Sequence, residues 1–208
     1  MLRLKDWKAT WKALGVKASK EMTMIHASVL MRYAEDHRRY HTLQHLEECA
    51  ERLAELQDTV SNLAEVQLAL WFHDAVYDPR RGDNEIQSAD WAREAALKLG
   101  VAGASADRIH QLILFTRHNE VPRGYDAEML IDVDLAILGA SPQRFEQYEE
   151  QVRQEYAWVP IAEFRHKRAE ILRGFLARPA LFSTPRFRAR YEVHARENLQ
   201  WSIDRLTH

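Results

Sequence analysis

An adjacent histidine and aspartate, His73 and Asp74, lie inside the apolar stretch ALWFHDAVYD. Burying an imidazole and a carboxylate without partners would be costly. A bound metal ion removes this cost, because it takes a neutral imidazole nitrogen and an ionised carboxylate oxygen directly into its coordination sphere. The pair therefore indicates a metal site, provided that other segments of the chain supply further ligands.

Two other segments carry suitable side chains. Upstream, YHTLQH places His41 and His45 four residues apart, so that on a helix both would project from one face. Downstream, LIDVDLAILG offers Asp132 and Asp134 in a third apolar segment. A lone histidine is more often an ordinary helix residue satisfied by hydrogen bonds. The joint order of histidine, His-Asp and distal aspartate on three predicted helices favours a metal centre instead.

This order resembles that of the HD superfamily of metal-dependent phosphohydrolases, which is named for its central His-Asp pair. The strings YHTLQHLEE, LALWFHDAVYD, DNEIQSA and DVDLAILGAS together look like one branch of it, the predicted HD phosphohydrolases of undefined substrate. The likeness spans roughly residues 30 to 140 and, more faintly, the C-terminal tract ARENL. The YHxxxH string is also similar to the opening motif of cyclic-nucleotide phosphodiesterases.

The resemblance implies a set of metal ligands and a reaction. The ligands would be His45, His73, Asp74 and Asp134, and such a mixed nitrogen and oxygen set suits Mn, Fe, Co, Ni or Zn, with Mg also possible. The implied activity is that of a phosphomonoesterase or phosphodiesterase, in which a metal-activated water attacks the phosphate ester of a small metabolite or nucleotide. Asp74 would act both as a ligand and in catalysis, and one or two ions could bind.

The distal ligand has two candidates. Asp132 and Asp134 would lie about 200° apart around a helix, so both cannot face one centre. By analogy with the family we expect Asp134 to bind the metal. Asp132 would then cap a helix, pair with an arginine or support the site from outside. The alternative is that the two residues exchange these roles.

His41 is the predicted general acid, since it would lie one helical turn before His45 and imidazole titrates near neutral pH. It would protonate the leaving oxygen or donate a proton to a bound phosphate. The alternative is a capping or surface histidine at the start of that helix.

Substrate contacts are expected from polar residues near these motifs: Arg39, Arg80, Glu85 and His118. An arginine can bind phosphate bidentately, and Arg38 offers the same chemistry, although solvated arginines are common. Glu85 could instead position a metal-bound water. In the loop before it, Asp83 or Asn84 is suited to cap the following helix.

Two other functions compete with phosphate ester hydrolysis. HD-type oxygenases hold two irons and need additional histidine ligands, for which His118 and, more weakly, His110 are the candidates. A non-catalytic binding module, in which the same metal merely joins helices, is the second alternative. An open coordination position would favour an enzyme, whereas a shell filled by protein atoms would favour a structural metal.

Helix is predicted throughout, because glycine and proline are few and alternating β-branched runs are absent. Apolar spacing predicts about ten helices in an all-α, single-domain HD-type bundle over residues 1–208. The predicted ranges are 3–14, 18–36, 41–57, 60–78, 84–100, 105–119, 123–139, 142–157, 160–178 and 185–206. Ser141-Pro142 and Thr184-Pro185 each place a capping hydroxyl before a proline suited to the first turn. Gly100 and Gly139 lie where helices should stop.

Composition and net charge limit the classes of binding partner and the cellular compartment that we expect. The net charge of −2 gives no general reason to expect a nucleic acid polymer or an anionic membrane. The single cysteine, Cys49, cannot form an internal disulfide, which fits a reducing compartment. The N-terminal MLRLKDWKATWKALG interleaves lysine and tryptophan, unlike a signal peptide or a membrane anchor. We therefore expect a cytoplasmic protein that meets a small phosphorylated molecule, while its oligomeric state is set by none of these features.

Overall fold

The computed structural model describes residues 2–56 and 59–208, and within these ranges the chain forms ten α-helices and no strand. Their bounds are α1 Leu4–Ala13, α2 Lys20–Tyr33, α3 Leu43–Ala54, α4 Leu63–Phe72, α5 Asn84–Lys98, α6 Gly103–Phe115, α7 Tyr125–Leu135, α8 Pro142–Glu155, α9 Ile161–Leu176 and α10 Pro185–Thr207. A short 3₁₀ helix, Ala136–Gly139, follows α7. The all-α prediction and the predicted number of helices are confirmed.

The predicted and observed helix bounds agree to within a few residues, with one exception. The predicted helix 60–78 would have carried His73 and Asp74 in its interior, but α4 ends at Phe72. That part of the prediction is wrong. The predicted end of the third helix, at residue 57, lies outside the described residues.

The described residues form two compact units, one that runs to Ile131 and one that comprises Asp132–His208. The boundary falls within α7. The assignment of residues 1–208 to a single HD-type domain stays a prediction.

The first unit is built around α4. This helix, LAEVQLALWF, is apolar apart from Glu65 and Gln67, and a helix that is apolar around most of its surface is stable only where it is buried. It packs against α1, α3, α5 and α6, and its residues Leu68 to Phe72 are all buried. The C-terminal end of α4 therefore brings the following His-Asp pair into the interior of the unit.

Helix α3 buries a single stripe against α4. His45, Leu46, Cys49, Ala50 and Leu53 are its buried residues, at the spacing of one helical face, while the opposite face is charged. His45 is thus carried inward with the apolar side chains of its own helix. It is 2 % exposed, in the first turn of α3.

The second unit is organised around α10, which packs against α8, α9 and the 3₁₀ helix. Gly139, at the end of the 3₁₀ helix, lies directly against Tyr191 of α10. A Cβ atom at residue 139 would lie 2.7 Å from both the Cβ and the carbonyl oxygen of Tyr191. The glycine is therefore required by close approach of two backbones, as well as by the end of a helix.

The two predicted capping hydroxyls have different partners. Ser141 caps α8, and its hydroxyl accepts a hydrogen bond from the backbone N–H of Arg144. Thr184 is the N-terminal cap residue of α10, but its hydroxyl donates to Asp132 at 2.6 Å instead of accepting from the helix. The prediction is confirmed for Ser141 and wrong for the hydroxyl of Thr184.

Among residues 2–56 and 59–208, no helix has the length and apolar character that a bilayer crossing requires.

Candidate metal centre

Three potential metal ligands meet in the first unit. The Nε2 atoms of His45 and His73 are 3.1 Å apart. The Oδ2 atom of Asp74 lies 3.0 Å from His73 Nε2 and 3.4 Å from His45 Nε2. The three atoms form a nearly equilateral triangle, which we call the ligand triangle.

The orientation of His73 is fixed by its other ring nitrogen. Nδ1 lies 2.8 Å from the carbonyl oxygen of Leu70, one turn earlier in α4. Because a carbonyl can only accept, Nδ1 carries the proton, and in a neutral ring Nε2 is left as an acceptor. A backbone carbonyl in this role is the usual second partner of a metal-binding histidine.

In the ligand triangle, the acceptor nitrogen Nε2 of neutral His73 therefore faces an acceptor oxygen of Asp74. The neutral His73 ring directs a lone pair at Asp74 Oδ2 across 3.0 Å, and both side chains are largely buried, with exposed fractions of 1 % and 16 %. Such a contact is unfavourable unless positive charge lies between the two atoms. A proton or a metal cation can supply that charge.

The pKa of Asp74 is consistent with such a cationic environment. Burial by itself would raise the pKa of this carboxyl, but His73 and His41 in their protonated forms, together with hydrogen bonds from His45 and His73, hold it well below its ordinary value, as a cation at the ligand triangle also would. Asp74 is therefore ionised at neutral pH. It can serve as an anionic ligand without first losing a proton.

The dimensions of the ligand triangle fit a divalent ion. Two ligand atoms that each lie about 2.1 Å from one ion are ~3.0 Å apart at a right angle and ~3.4 Å apart at the tetrahedral angle. The three observed separations fall in this range. The site also follows the C-terminal end of α4, where the helix dipole favours a cation.

Arg38 joins the segment before α3 to the His-Asp segment. Its Nη1 donates to the carbonyl oxygens of His41 at 3.1 Å and of Asp74 at 2.6 Å, and its Nη2 donates to that of Ala75 at 3.1 Å. Nε and Nη2 both lie 3.2 Å from a carboxylate oxygen of Glu35. The arginine is 2 % exposed and its N–H groups are used within the protein. The hypothesis that Arg38 binds phosphate is therefore wrong.

The string DNEIQSA holds the chain that follows the His-Asp pair. Asn84 accepts a hydrogen bond from the N–H of Asp78 at 3.1 Å and donates to its carbonyl at 2.9 Å. One turn later, Ser88 accepts from the N–H of Val76 at 3.0 Å and donates to its carbonyl at 3.3 Å. These side chains satisfy backbone groups that a longer α4 would have paired internally, which explains why the helix ends early. Asp83 is the residue before α5, but its side chain makes no capping hydrogen bond to the helix, so that part of the prediction is wrong.

Tyr33 contacts the same segment. Its hydroxyl accepts a hydrogen bond from the backbone N–H of Asp74 at 3.3 Å. Burial raises the pKa of Tyr33 to about 12, so the hydroxyl stays neutral at physiological pH. The Arg38 guanidinium carbon lies 5.3 Å from the centre of the Tyr33 ring, within the range of a cation–π contact.

His41 lies beside the ligand triangle, although by a different route from the predicted one. Helix α3 begins at Leu43, so His41 belongs to the preceding turn, and the prediction of its position from helical spacing is wrong. Its ring stacks on Tyr77 with centroids 4.1 Å apart and lies 6.0 Å from the His45 ring. His41 is half-buried, and its charge contributes to the low pKa of Asp74.

Asp132 holds the segment that leads into α10, whose first helical residue is Pro185. Its two carboxylate oxygens accept hydrogen bonds from the N–H groups of Ser183 and Thr184, at 2.8 and 2.7 Å, in addition to the Thr184 hydroxyl. It is fully buried. Asp134 is half-buried in the second unit. Its role as the distal ligand stays a prediction.

The four predicted substrate contacts lie in different parts of the chain. Arg39 is exposed and donates to the carbonyls of Asp36 and Arg38. Arg80 is exposed in the loop before α5, and Glu85 is half-buried in the first turn of that helix. His118 follows α6 and has a left-handed backbone with φ of 56°, which is uncommon outside glycine. Contact of these residues with a substrate stays a prediction.

Two other residues bear on the number of metal ions. His110 pairs with Asp90 at 3.0 Å. In the part of the chain that the structure describes, neither His110 nor His118 belongs to a group of three ligand atoms within 4.8 Å of one another. The Cys49 sulfur, one turn after His45, lies 3.7 Å from His45 Nδ1.

Sequence reasoning missed the residues that hold the site in place: Tyr33, Arg38, Asn84 and Ser88. Only the last two carried a signal, since DNEIQSA was part of the family resemblance. Tyr33 and Arg38 act through backbone atoms of residues far along the chain, and no local spacing indicates such contacts.

In comparisons with known proteins, the chain matches no family model, no curated protein and no solved structure.

Proposed function

We propose that this protein is a metal-dependent phosphohydrolase that acts on a phosphate ester of a small metabolite or nucleotide. The observation that carries the proposal is the ligand triangle, in which His45, His73 and Asp74 each bring one potential ligand atom to within 3.4 Å of the other two. The order of these residues, which resembles that of HD phosphohydrolases, supports the same reaction. The sequence resemblance, and no measured distance, supplies Asp134 as the fourth ligand.

A divalent ion held there supplies a Lewis acid for the phosphoryl group and lowers the pKa of a coordinated water. Asp74, which is ionised and largely buried, contributes negative charge to the site. His41 can hold a proton for the leaving oxygen, since its half-buried ring lies beside the site. Stacking on Tyr77 fixes the plane of that ring.

The two alternatives make different demands on the same residues. A di-iron oxygenase needs further histidine ligands, and the pairing of His110 with Asp90 does not favour it. A metal-stabilised binding module would use the ligand triangle without turnover. Activity measurements separate this module from an enzyme.

The experiment is a panel of phosphorylated metabolites, nucleotides and cyclic nucleotides, incubated with protein loaded with Mn²⁺, with metal content measured by elemental analysis. His73→Ala removes one ligand. His166→Ala, an exposed histidine of α9 with a side chain 69 % exposed, is the matched control. We expect phosphate release by the wild type and by His166→Ala, and loss of both metal and activity in His73→Ala.

Equal activity in His73→Ala would assign the hydrolysis to a contaminant and refute the proposal. Metal binding by the wild type, with no release from any ester in the panel, would favour the binding module.

A further inference from the structure

We infer that Arg38 is a positioning residue of the metal centre, which holds the His-Asp segment at the distance from α3 that coordination by one ion requires. This inference rests on the proposed metal centre. It concerns a residue that lies outside the ligand set and that the sequence offered only as one candidate for phosphate binding.

The geometry of Arg38 joins the two segments that carry the ligands. A single nitrogen, Nη1, donates to the carbonyls of both His41 and Asp74. His41 lies two residues before α3, which carries His45, and Asp74 is itself a ligand of the proposed ion. Because the guanidinium is planar and rigid, these two hydrogen bonds fix the separation of the two backbones.

The segment that Arg38 holds has no helix of its own to support it. α4 ends at Phe72, so the carbonyls of Asp74 and Ala75 need partners from outside the helix. Arg38 supplies both, at 2.6 and 3.1 Å. Its charge is balanced by Glu35, so the buried cation is paired.

Lysine cannot replace this arrangement. An ammonium group has the same charge but lacks the planar fork that reaches three carbonyls from fixed directions. Arg38→Lys therefore keeps the charge and removes the geometry. Residues that orient metal ligands from outside the coordination sphere commonly change metal affinity by about 10–100-fold when they are mutated.

A second arginine offers a matched control. Arg196 of α10 likewise binds one glutamate, Glu192, and three backbone carbonyls, those of Leu176, Arg178 and Pro179. It belongs to the second unit and holds the end of α9. Arg196→Lys makes the same chemical change where none of the three ligands of the triangle is held.

The experiment is an optical titration of metal-free protein with Co²⁺, whose visible bands report the coordination geometry. We expect Arg38→Lys to bind Co²⁺ about 10–100-fold more weakly than wild type, with altered bands. Arg196→Lys should bind with wild-type affinity and spectrum. Wild-type binding of Co²⁺ by Arg38→Lys, with an unchanged spectrum, would overturn the inference while leaving the metal centre intact.

Failure of the proposed metal centre has a different signature, since the wild type itself would then bind no Co²⁺, and failure of the phosphohydrolase activity alone would leave this titration unchanged. If Arg38→Lys loses its helical circular dichroism, Arg38→Gln, whose amide keeps two donors, takes its place in the titration. Loss of the fold in both variants would make Arg38 a residue required for folding, and the positioning role would be rejected.

Discussion

The contact between Gly139 and Tyr191 predicts a large effect from the smallest possible substitution. In Gly139→Ala the new methyl carbon would lie 2.7 Å from the Tyr191 Cβ and carbonyl oxygen and 3.0 Å from its Cα. Ordinary carbon contacts are about 3.5–4.0 Å, so the 3₁₀ helix and α10 would have to separate by roughly 1 Å. None of these atoms belongs to a flexible side-chain end, and a change of rotamer cannot relieve the overlap.

The expected cost follows from this displacement. Overpacking a close-packed interior typically costs about 1–3 kcal/mol, and a clash with fixed backbone atoms places Gly139→Ala in the upper half of that range. For a chain of this size each kcal/mol lowers the melting temperature by roughly 2–4 °C, so we expect a loss of about 4–12 °C. Thermal unfolding followed by circular dichroism measures it.

Gly174→Ala is the matched control. Gly174 lies inside α9, and a Cβ atom there would meet nothing within 4 Å. Since glycine in a helix interior is less stable than alanine by roughly 0.5–1 kcal/mol, this variant should melt slightly above wild type. The two substitutions thus have opposite predicted signs. A melting temperature of Gly139→Ala equal to that of wild type would refute the close-approach argument.

Four further predictions concern the site and its surroundings. Metal-free wild type should gain about 2.7 kcal/mol in stability in Mn²⁺ at 100 times the dissociation constant, which raises its melting temperature by roughly 5–11 °C. Asp74→Ala should show no such rise. Equal shifts of the two proteins in scanning fluorimetry would contradict the ligand assignment. His41→Ala should keep its metal but lose roughly 10²–10⁴-fold in turnover. The loss should be smaller on p-nitrophenyl esters, because their leaving group departs as an anion and needs no proton. Loss of metal in elemental analysis would instead make His41 a ligand. Asp132→Asn should lower the free energy of unfolding in urea by about 3 kcal/mol, because one acceptor oxygen becomes an NH₂ group that faces a donor. Asp134→Asn should mainly lower metal content, and the reverse pattern would exchange their roles. Burial between tryptophan rings lowers the pKa of His26 below its ordinary value of about 6.5. As the pH falls, the unfolded state therefore binds this proton before the folded state does. The free energy of unfolding should fall below pH 6.5, by up to about 1.4 kcal/mol per pH unit. This pH dependence should be smaller in urea unfolding of His26→Phe, and an unchanged slope would rule out His26 as its source.

The sequence alone determined which segments are helices. The spacing of apolar residues indicates where a helix can bury one face, and the uniformly apolar LALWF segment indicates a helix buried on all sides. Proline after Ser141, and glycine at Gly100 with its positive φ of 89°, mark boundaries through local backbone preferences. These signals depend on residues close together in the chain, and they are therefore visible in the sequence.

The sequence also indicated His45, His73 and Asp74 as one group, because burying their polar atoms in apolar segments requires a common partner. Tertiary structure decided the rest. The early end of α4, the burial of Arg38 and the bonding of Asp132 to the segment before α10 depend on hydrogen bonds between residues far apart in the chain. A carbonyl oxygen can accept its hydrogen bond from its own helix or from a distant side chain, and only the packing of the helices determines which donor is within reach.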